Sequence, residues 1–471
     1  MFTFSQIYHL MKQNDNLHRD STLNNYAEHF IATNVLSNKQ YTGISIDSRN
    51  IEPGQIFLSL KGEEKDGHNF AAQAIEKANS FLIGERMVFG VSMNRQMLVK
   101  STEYAFELLA DFANERFKGI RIAITGSAGK TTTKNMLKHM LDLLNMKCYA
   151  GAGNFNTVRF GLPLSLINAD EQADVGVFEL GMSEPGQIEQ MSYMLKPNIS
   201  VVTAIQAAHM ANFENLGQIA YAKGEIFKHT LDAGIVCDGR YGKLLKKLYP
   251  KMMIFGQEDA DAQLLEWTVK EGVANCKANV CGQEVEFIIN HPKKALAMSA
   301  LICLLIADYL KLNLHAAAKT FQTFKCVEGR GALSYVLNKT LLIDDSYNAN
   351  PDSMIDAVET FKTINADFRL AILGQMEELG AQSEKQHMRL YQHLKGLDCV
   401  ILMGEKMLKL YQLYKQEQAD IDVQIIHASN LLEIFNTLKV KIPLLPAKSA
   451  ILVKGSNSCN LNKIVDYLQN Y

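Results

Sequence analysis

The sequence predicts an α/β fold divided into three domains, and three observations lead to that prediction. The chain has 471 residues, and a domain takes on the order of 150 residues. Strand-like apolar runs alternate with helical segments through most of the chain, which is typical of mostly parallel sheets with crossover helices. Hydrophobic residues make up 47% and charged residues 21% of the chain. That composition supplies a sizeable core and excludes an intrinsically disordered protein.

Residues 1–118 predict a small α/β domain. Between Gly43 and Gly62, apolar and polar residues alternate around Pro53 and Gly54, which indicates short strands with a tight connection. A helical segment, FAAQAIEKAN, and a further apolar run, SFLIG, complete the region.

Residues 119–325 predict a central domain with a mostly parallel sheet. The strand IRIAI is followed by a glycine-rich turn, and strand-like runs recur as DVGVFEL, ISVVTAI and GIVCDG. The later segment TVKEGVANCKANVCGQEVEFII predicts antiparallel strands, and the apolar stretch from Lys294 to Leu312 predicts a buried helix.

Residues 326–471 predict a Rossmann-like, doubly wound domain. Five strand-like runs, each followed by an amphipathic helical segment, support this: LLIDD, FRLAILG, CVILMG, DVQIIHA and AILVKG.

The near-balanced charge and the absence of a recognisable targeting signal argue against several classes of protein. The chain has 48 basic and 50 acidic residues and a formal net charge of −2, so we expect no nucleic-acid partner. No basic segment followed by an apolar run opens the chain, so we expect no secretory signal. The most apolar stretch is shorter than the roughly 20 residues of a membrane span. Scattered cysteines without metal-site spacing indicate reduced thiols in a cytoplasmic enzyme.

A phosphate-binding loop is the strongest motif. The segment TGSAGKTTT, from Thr125 to Thr133, lies between a strand and the helical run KNMLKHMLDLL. Glycines let backbone N–H groups approach phosphates, and the helix N-terminus adds positive charge. Lys130 is expected to reach the β- and γ-phosphates, and the Thr131 hydroxyl to ligate Mg²⁺. Ile124 replaces the first glycine of GxxxxGK[ST], so a chance glycine turn is the alternative. The predicted nucleotide-binding residues here are Gly126, Ser127, Ala128, Gly129, Lys130, Thr131 and Thr132.

Three further polar residues are candidates for catalysis. Glu179 ends the strand DVGVFEL, and His209 follows ISVVTAI within a few residues. Carboxyl ends of parallel strands meet at one edge of a sheet, so both are predicted to face the loop. Glu179 offers the hard oxygen ligand that Mg²⁺ prefers. Taken singly, Glu179 also fits a surface carboxylate, His209 a packing histidine, and Lys223 an ordinary helix-surface lysine.

In order and spacing, several segments resemble the Mur ligases: TGSAGKTTTKNML, GNFNT, FGLPLSL, FELGMSEPG, AAHMANF, AKGEIF, DDSYNANPDSM, LGQMEELG and LVKGS. Within that family, DSYNANP followed by LGxMxELG is typical of the member that adds a dipeptide. The amino-terminal SIDSRNIEPGQIFLSLKGEEKDGHNF resembles the family's uridine-nucleotide domain. The resemblance covers nearly the whole chain. It implies a UDP-substrate-binding domain at 1–118, an ATP-binding domain at 119–325 and a Rossmann-like domain at 326–471.

The resemblance also implies the cofactors and the residues that hold them. ATP and two Mg²⁺ ions are expected, with Lys130 and Thr131 on the phosphates and magnesium, and Glu179 and His209 as magnesium ligands. Lys223 matches the lysine that the family carbamylates with CO₂, which turns a cation into an anionic oxygen ligand. For the nucleotide, Arg330, Asp345 and Asn348 match residues at the domain junction, the ribose and the adenine. For the UDP-linked substrate, the matching residues are Ser48, Arg49, Lys61, Gly62, His68, Asn154 and Asn156.

The implied reaction joins D-alanyl-D-alanine to UDP-N-acetylmuramoyl-tripeptide through an acyl phosphate. The resemblance places this reaction in peptidoglycan precursor synthesis in the cytoplasm, and it implies that the enzyme is a monomer. Two enzyme alternatives are another Mur-type ligase and a folylpolyglutamate synthase. A P-loop regulatory protein and a catalytically degenerate relative are further alternatives. The DNPR signature of the sibling that adds diaminopimelate or lysine, and the Asn-Lys-x-Asp motif of guanine-nucleotide switches, are both absent from the sequence.

The chain departs from the family pattern at four places. Asn290 and His291 stand where the pattern begins His-Asn, Gln375 replaces an aspartate in LGQM, and Asn457 replaces an arginine in KGSN. Glu184 stands where a histidine is often found. None of these removes a phosphate- or magnesium-binding position, so we interpret them as lineage variation.

Overall fold

The computed structural model describes residues 2–17, 40–62, 65–151, 157–207, 210, 212–337, 339–416 and 423–471. The chain forms two compact units. The first comprises Met1–Ala123, Met146–Met182 and Gln187–Asn198, and the second comprises Ile124–Asn145, Ser183–Gly186 and Ile199–Tyr471.

The elements up to residue 198 are, in chain order, β1 (Phe2–Thr3), α1 (Phe4–Gln13), β2 (Gln40–Tyr41), β3 (Gly43–Ser45), β4 (Gln55–Leu58), α2 (Ala71–Ala78), β5 (Phe81–Gly84), β6 (Gln96–Leu98), α3 (Thr102–Arg116), β7 (Ile120–Thr125), α4 (Lys130–Leu143), β8 (Cys148–Ala150), α5 (Gly161–Ile167), β9 (Val175–Glu179) and α6 (Gln187–Leu195).

From residue 199 to residue 320 they are β10 (Ile199–Val202), α7 (Leu216–Gly224), β11 (Ala233–Cys237), α8 (Gly239–Leu248), β12 (Met252–Gly256), β13 (Ala262–Lys270), β14 (Val273–Val280), β15 (Gln283–Ile289), α9 (Lys294–Tyr309) and α10 (Leu314–Thr320).

The last third contains β16 (Ala332–Val336), β17 (Thr340–Asp345), α11 (Pro351–Lys362), β18 (Phe368–Gly374), α12 (Ser383–Met388), β19 (Cys399–Met403), α13 (Leu408–Gln416), β20 (Gln424–Ala428), α14 (Leu431–Lys441), β21 (Ser449–Lys454) and α15 (Asn462–Gln469).

The first unit contains a parallel sheet in the order β3-β4-β5-β6. The short strands are where the sequence predicts them, but the expected tight connection is wrong. Because β3 and β4 run parallel, the turn at Pro53 and Gly54 leads into β4 and does not close a hairpin. The strands are buried almost throughout, as expected where both faces of a parallel sheet are covered. Strands β8 and β9 pair in parallel in the same unit.

In the second unit, β10, β11, β12 and β13 pair in parallel, and β13, β14 and β15 form an antiparallel meander. Both features agree with the predictions for the central region. The predicted apolar helix is α9, whose side chains from Leu296 to Ala307 are buried except that of Met298. A hydrogen bond of 3.0 Å joins the hydroxyls of Thr133 on α4 and Ser299 on α9, so the helix after the phosphate loop packs on this core helix.

The other sheet of the second unit has the order β16-β17-β21-β18-β19-β20. Strands β17 to β21 pair in parallel, with apolar clusters on both faces. This confirms the doubly wound prediction for the last region. Strand β16 is not among the strands predicted from the sequence. It is an antiparallel edge strand whose exposure alternates along its length. Five residues with one half-exposed face carry too weak a pattern to identify a strand.

Across the described part of the chain, no helix combines the length and the hydropathy that crossing a membrane requires.

Candidate nucleotide-binding site

The loop between β7 and α4 has the backbone geometry of a phosphate-binding loop. Gly126 has φ +150° and Gly129 has φ +81°, values that favour glycine. A Cβ atom on Gly126 would lie 1.9 Å from Thr203 Oγ1 and 3.0 Å from the backbone nitrogen of Ala204. Position 126 therefore accepts only glycine, as a close approach of two backbone segments requires.

The segment after β10 holds this loop in place. Thr203 Oγ1 donates a hydrogen bond of 2.5 Å to the carbonyl oxygen of Ala128. The Ser127 N–H donates to Ala204 O at 2.9 Å, and the Ser127 hydroxyl donates to Gln206 O at 2.9 Å. Thr203 and Gln206 are not predictable from the sequence, because nothing in ISVVTAIQ marks them as partners of a loop 75 residues away.

Two lysines of the second unit interact electrostatically next to the loop. Lys130 is the first residue of α4, and its Nζ donates a hydrogen bond of 2.9 Å to Gly126 O. Lys223 is near the end of α7 and is only 2% exposed. Burial, and then the positive charge of Lys130, hold the pKa of the Lys223 ammonium well below its usual value. The site therefore favours an uncharged amine at position 223.

A cavity of about 320 Å³ adjoins the loop, within the size range of small-molecule sites. It is lined by Ser127, Ala128, Gly129, Thr132, Gln206, Lys293, Lys294, Ala295, Leu296, Met298, Ser299, Gly329, Arg330, Asp345, Asn348, Ala349, Asn350, Ser353, Asp356 and Lys454. The predicted nucleotide-binding residues Arg330, Asp345 and Asn348 are thus brought together with the phosphate loop around one space.

Asp345, at the end of β17, is the centre of a buried ionic cluster. Its Oδ2 accepts hydrogen bonds from Lys454 Nζ at 2.8 Å and from Lys293 Nζ at 3.2 Å. Burial acts to raise the pKa of the Asp345 carboxyl, but the two lysines outweigh it and hold that pKa well below the usual range. The sequence predicts no role for Lys293, and Lys454 belongs to the predicted features only as part of the LVKGS segment.

The segment before β16 is shaped by Asp344 and by glycines. Asp344 Oδ2 accepts a hydrogen bond of 2.6 Å from the Gly329 N–H, and its Oδ1 accepts one of 2.6 Å from the Ser346 hydroxyl. The Arg330 guanidinium lies 3.8 Å from the centre of the Tyr347 ring, a cation–π contact that orients it at the cavity wall.

His291, one of the departures from the family pattern, is buried and uses both ring nitrogens. Its Nδ1 accepts a hydrogen bond of 3.0 Å from the Lys293 N–H, so its Nε2 carries the proton and donates to Gly331 O at 2.8 Å. Burial is the main cause that lowers the pKa of His291 to about 4. The neutral imidazole therefore connects the start of α9 to the segment before β16.

Gln375, another departure, has a structural role. Its side-chain Nε2 donates to Glu377 Oε1 at 2.6 Å, and its Oε1 accepts from the Lys406 N–H at 3.2 Å. The amide thus holds the loops after β18 and β19 together. Asn457 is exposed, directly beyond β21.

Comparisons with known proteins agree with this geometry. Three family models match in order: "Mur ligase family, catalytic domain" at residues 40–102, "Mur ligase middle domain" at 124–307 and "Mur ligase, glutamate ligase domain" at 329–457. The UDP-N-acetylmuramoyl-tripeptide–D-alanyl-D-alanine ligase of Rickettsia prowazekii is 30% identical, over 90% of this chain and 95% of that protein. The chain belongs to the Mur ligase family.

Other Mur ligases are also similar to this chain over most of its length. The enzyme of the same name from Escherichia coli is 29% identical, over 90% of this chain and 93% of its own length. A crystal structure of MurF from Acinetobacter baumannii superposes with a TM-score of 0.78 at 26% identity, covering 91% of this chain and 93% of that one. The three-domain α/β layout expected from the sequence is therefore that of the family.

The remaining predicted residues of this Mur ligase belong to the first unit or fall outside the described residues. Glu179 ends β9 in the first unit, and His209, Asn154 and Asn156 lie outside the described residues. Ser48 and Arg49 follow Asp47, whose carboxylate accepts hydrogen bonds of 2.7 and 2.9 Å from the Arg49 guanidinium.

Lys61, Gly62 and His68 form part of one local structure in the first unit. Lys61 forms a β-bridge with Asp66, and the Gly62 N–H donates to Lys65 O at 2.8 Å. His68 is buried, with Nδ1 2.6 Å from Asp66 Oδ1 and Nε2 accepting a hydrogen bond of 2.8 Å from the Glu85 N–H. Both nitrogens of His68 thus support the fold of this segment.

The charges of Lys130 and Lys223 bear on how well the described residues fit Mg²⁺. No group of three or more His, Cys, Asp or Glu side chains among the described residues could hold a metal ion. The Lys130 ammonium group repels a divalent cation, and an uncharged amine at Lys223 offers no oxygen, whereas Mg²⁺ prefers oxygen ligands and substrate phosphates. The site fits magnesium if Lys223 supplies an anionic oxygen and Thr131 a hydroxyl.

Proposed function

We propose that this chain is an ATP-dependent ligase that joins D-alanyl-D-alanine to UDP-N-acetylmuramoyl-tripeptide. The observation that carries the proposal is the phosphate loop at Lys130 beside the buried, deprotonation-prone Lys223. A regulatory P-loop protein that only binds nucleotide needs no buried lysine like Lys223 beside the loop, so this arrangement favours a ligase. The names of the relatives, which match most of the chain, support the choice of substrates.

The reaction has two chemical steps. A carboxylate oxygen of the tripeptide attacks the γ-phosphorus of ATP, and the bond from that phosphorus to the β–γ bridging oxygen breaks. The products are an acyl phosphate and ADP. The dipeptide amine then attacks the acyl carbon, loses a proton and expels phosphate. Lys130 offsets charge on the transferring phosphoryl group, and the glycine-rich backbone positions it.

Lys223 is proposed to act as a carbamate. An uncharged amine attacks the carbon of CO₂ and loses a proton, and the lowered pKa of Lys223 supplies that form of the amine. The resulting anion would hold Mg²⁺ together with Thr131, Glu179 and His209. Bound magnesium supplies further stabilisation of phosphate charge.

The nucleotide end of the cavity is assigned to Arg330, Asp345 and Asn348. The Arg330 guanidinium is oriented by Tyr347, and Asn348 lines the cavity with Asp345. We place the UDP end of the other substrate at Ser48, Arg49, Lys61, Gly62 and His68, and the substrate loop at Asn154 and Asn156. The corresponding domains are 1–118, 119–325 and 326–471.

The cellular setting follows from the substrates. Because ATP and UDP-linked precursors are cytoplasmic metabolites, we place the reaction in the cytoplasm, in peptidoglycan precursor synthesis. We propose a monomer, which light scattering of the full chain would check.

Phosphate release tests the proposal. ATP, Mg²⁺, bicarbonate and UDP-N-acetylmuramoyl-tripeptide are supplied with D-alanyl-D-alanine, with single amino acids or with no amine. Release that depends on the dipeptide is the expected result. Release that depends on glutamate or another single amino acid would indicate a sibling ligase, and nucleotide binding without any amine-dependent release would indicate a regulatory protein.

Two lysines of α4 provide the matched variants. Lys130→Ala is expected to abolish turnover, because the loop loses the ammonium group that is expected to reach the β- and γ-phosphates. The urea unfolding transition of the variant checks that the fold is kept. Lys138→Ala is the control, since that exposed side chain pairs with Asp142 on the helix surface. Full activity of Lys130→Ala would refute the assignment of the loop.

A further inference from the structure

Asp356 is an unassigned carboxylate in the nucleotide cavity. It lies on α11 and lines the cavity together with Asp345 and Asn348. The side chain is half-buried. The resemblance to the Mur ligases assigns it no role.

The neighbouring Asp345 is already engaged by cations on both oxygens. Oδ2 accepts from Lys454 and Lys293, and Oδ1 lies 3.4 Å from Lys293 Nζ. Lys454 Nζ also donates a hydrogen bond of 3.0 Å to the carbonyl oxygen of Asn348. Much of the acceptor capacity of Asp345 is therefore taken up before any nucleotide binds.

The interaction of Asp356 with Lys293 and Lys454 is electrostatic, without a hydrogen bond in the described part of the chain. Among the described residues, Lys293 Nζ donates its hydrogen bonds to Asp345, and Lys454 Nζ donates to Asp345 and Asn348. None of these hydrogen bonds goes to Asp356. Burial is the main cause that raises the pKa of Asp356, and the charge of Asp345 acts in the same direction. A half-buried carboxylate in such a position is stabilised by any donor that reaches it.

The charge of Asp356 limits which part of a nucleotide it can meet. Phosphates belong at the loop, where Gly129 and the start of α4 favour negative charge. A carboxylate repels them, so Asp356 suits the uncharged nucleoside. There, ribose hydroxyls and the base amino group are the donors, and Asp356 shares its part of the cavity with the expected ribose ligand, Asp345.

We propose that Asp356 is a further specificity-determining residue of this site, whose carboxylate accepts a hydrogen bond from a ribose hydroxyl of the nucleotide. The inference rests on the proposed function only in taking the nucleotide to be ATP or ADP.

Calorimetric titration of the full chain tests this without requiring ligase turnover. The titrants are ADP, 2′-deoxy-ADP, 3′-deoxy-ADP and IDP, each with Mg²⁺. The wild type is expected to prefer ADP to one deoxy analogue by about tenfold, as a hydrogen bond to a charged group implies. In Asp356→Ala, ADP should bind more weakly by that same factor, and the preference over the deoxy analogue should disappear. Asp352→Ala on the same helix is the control, since its carboxylate pairs with Arg389.

Several outcomes would overturn the inference. These are an unchanged ADP affinity in Asp356→Ala, an equal loss for ADP and both deoxy analogues, or a wild type that does not distinguish them. Loss of the preference over IDP alone would mean that Asp356 contacts the base. If the wild type discriminates as expected but shows no dipeptide-dependent phosphate release, the proposed function fails and this inference stands.

Discussion

At the scale of single residues, Lys223 shows how surroundings determine chemistry. A lysine on a helix surface keeps its proton at neutral pH, but Lys223 is 2% exposed and senses the charge of Lys130. Both effects favour the neutral amine. Below the lowered pKa the ammonium form returns, so carbamate formation is expected to fail as pH decreases.

Lys223→Ala is therefore expected to lose ligase activity, and short carboxylates such as formate or acetate should restore part of it by supplying the missing anionic oxygen. Phosphate release with and without each carboxylate measures this. Lys228→Ala is the control, because Lys228 is exposed. Activity near that of the wild type without carboxylate would contradict a carbamate.

His291 predicts a pH dependence of stability. The folded-state pKa of about 4 lies below the usual 6.5, so the folded chain resists protonation of this imidazole. The stability contribution is complete above pH 6.5 and declines as pH falls toward 4, by roughly 2 kcal/mol at pH 5. Urea unfolding of the wild type and of His291→Gln between pH 7 and pH 4.5 measures it.

The variant should have a weaker pH dependence than the wild type over this range. His315→Gln serves as the control, because that ring is exposed. Parallel pH profiles for the wild type and His291→Gln would show that His291 does not titrate as stated.

At the scale of elements, the phosphate loop depends on backbone shape. Its glycines allow β7 to turn into α4 while Thr203 and Ala204 approach from the segment after β10. The loop is thus a joint product of a local motif and a distant segment.

Gly126→Ala tests this joint geometry. Strain from a positive φ costs about 1 kcal/mol or more, and at position 126 the Cβ would also collide with Thr203. We expect a lower urea midpoint and at least tenfold weaker ADP binding. Gly282→Ala is the matched control, with φ +91° and no atom within 4 Å of the new Cβ. Equal effects of the two variants would show that contact with Thr203 is unimportant.

At the scale of the whole molecule, the cluster around Asp345 joins distant parts of the second unit. Lys293 precedes α9, Asp345 ends β17 and Lys454 ends β21. Two ammonium groups share one carboxylate, so removal of that carboxylate leaves both without their hydrogen-bonded anionic partner.

Asp345→Asn is expected to destabilise the chain by about 3 kcal/mol, as is typical when one partner of a buried ionic cluster is removed. Urea unfolding without nucleotide separates this effect from any loss of binding. Adding Lys454→Met should recover part of the stability, because one unpaired charge is removed. An unchanged midpoint in Asp345→Asn would contradict the role of the cluster.

The sequence by itself determined the α/β class, most of the strands and helices, the phosphate loop and the family. These features can be predicted from short segments, because apolar periodicity and the spacing of glycine and lysine are patterns that extend over only a few residues. The tertiary structure alone decided which groups meet. It engaged Asp345 with Lys454, 109 positions away, held the loop with Thr203, made β3 and β4 parallel, and gave His291 two backbone partners. Such contacts depend on how strands are ordered in a sheet, which no local pattern records.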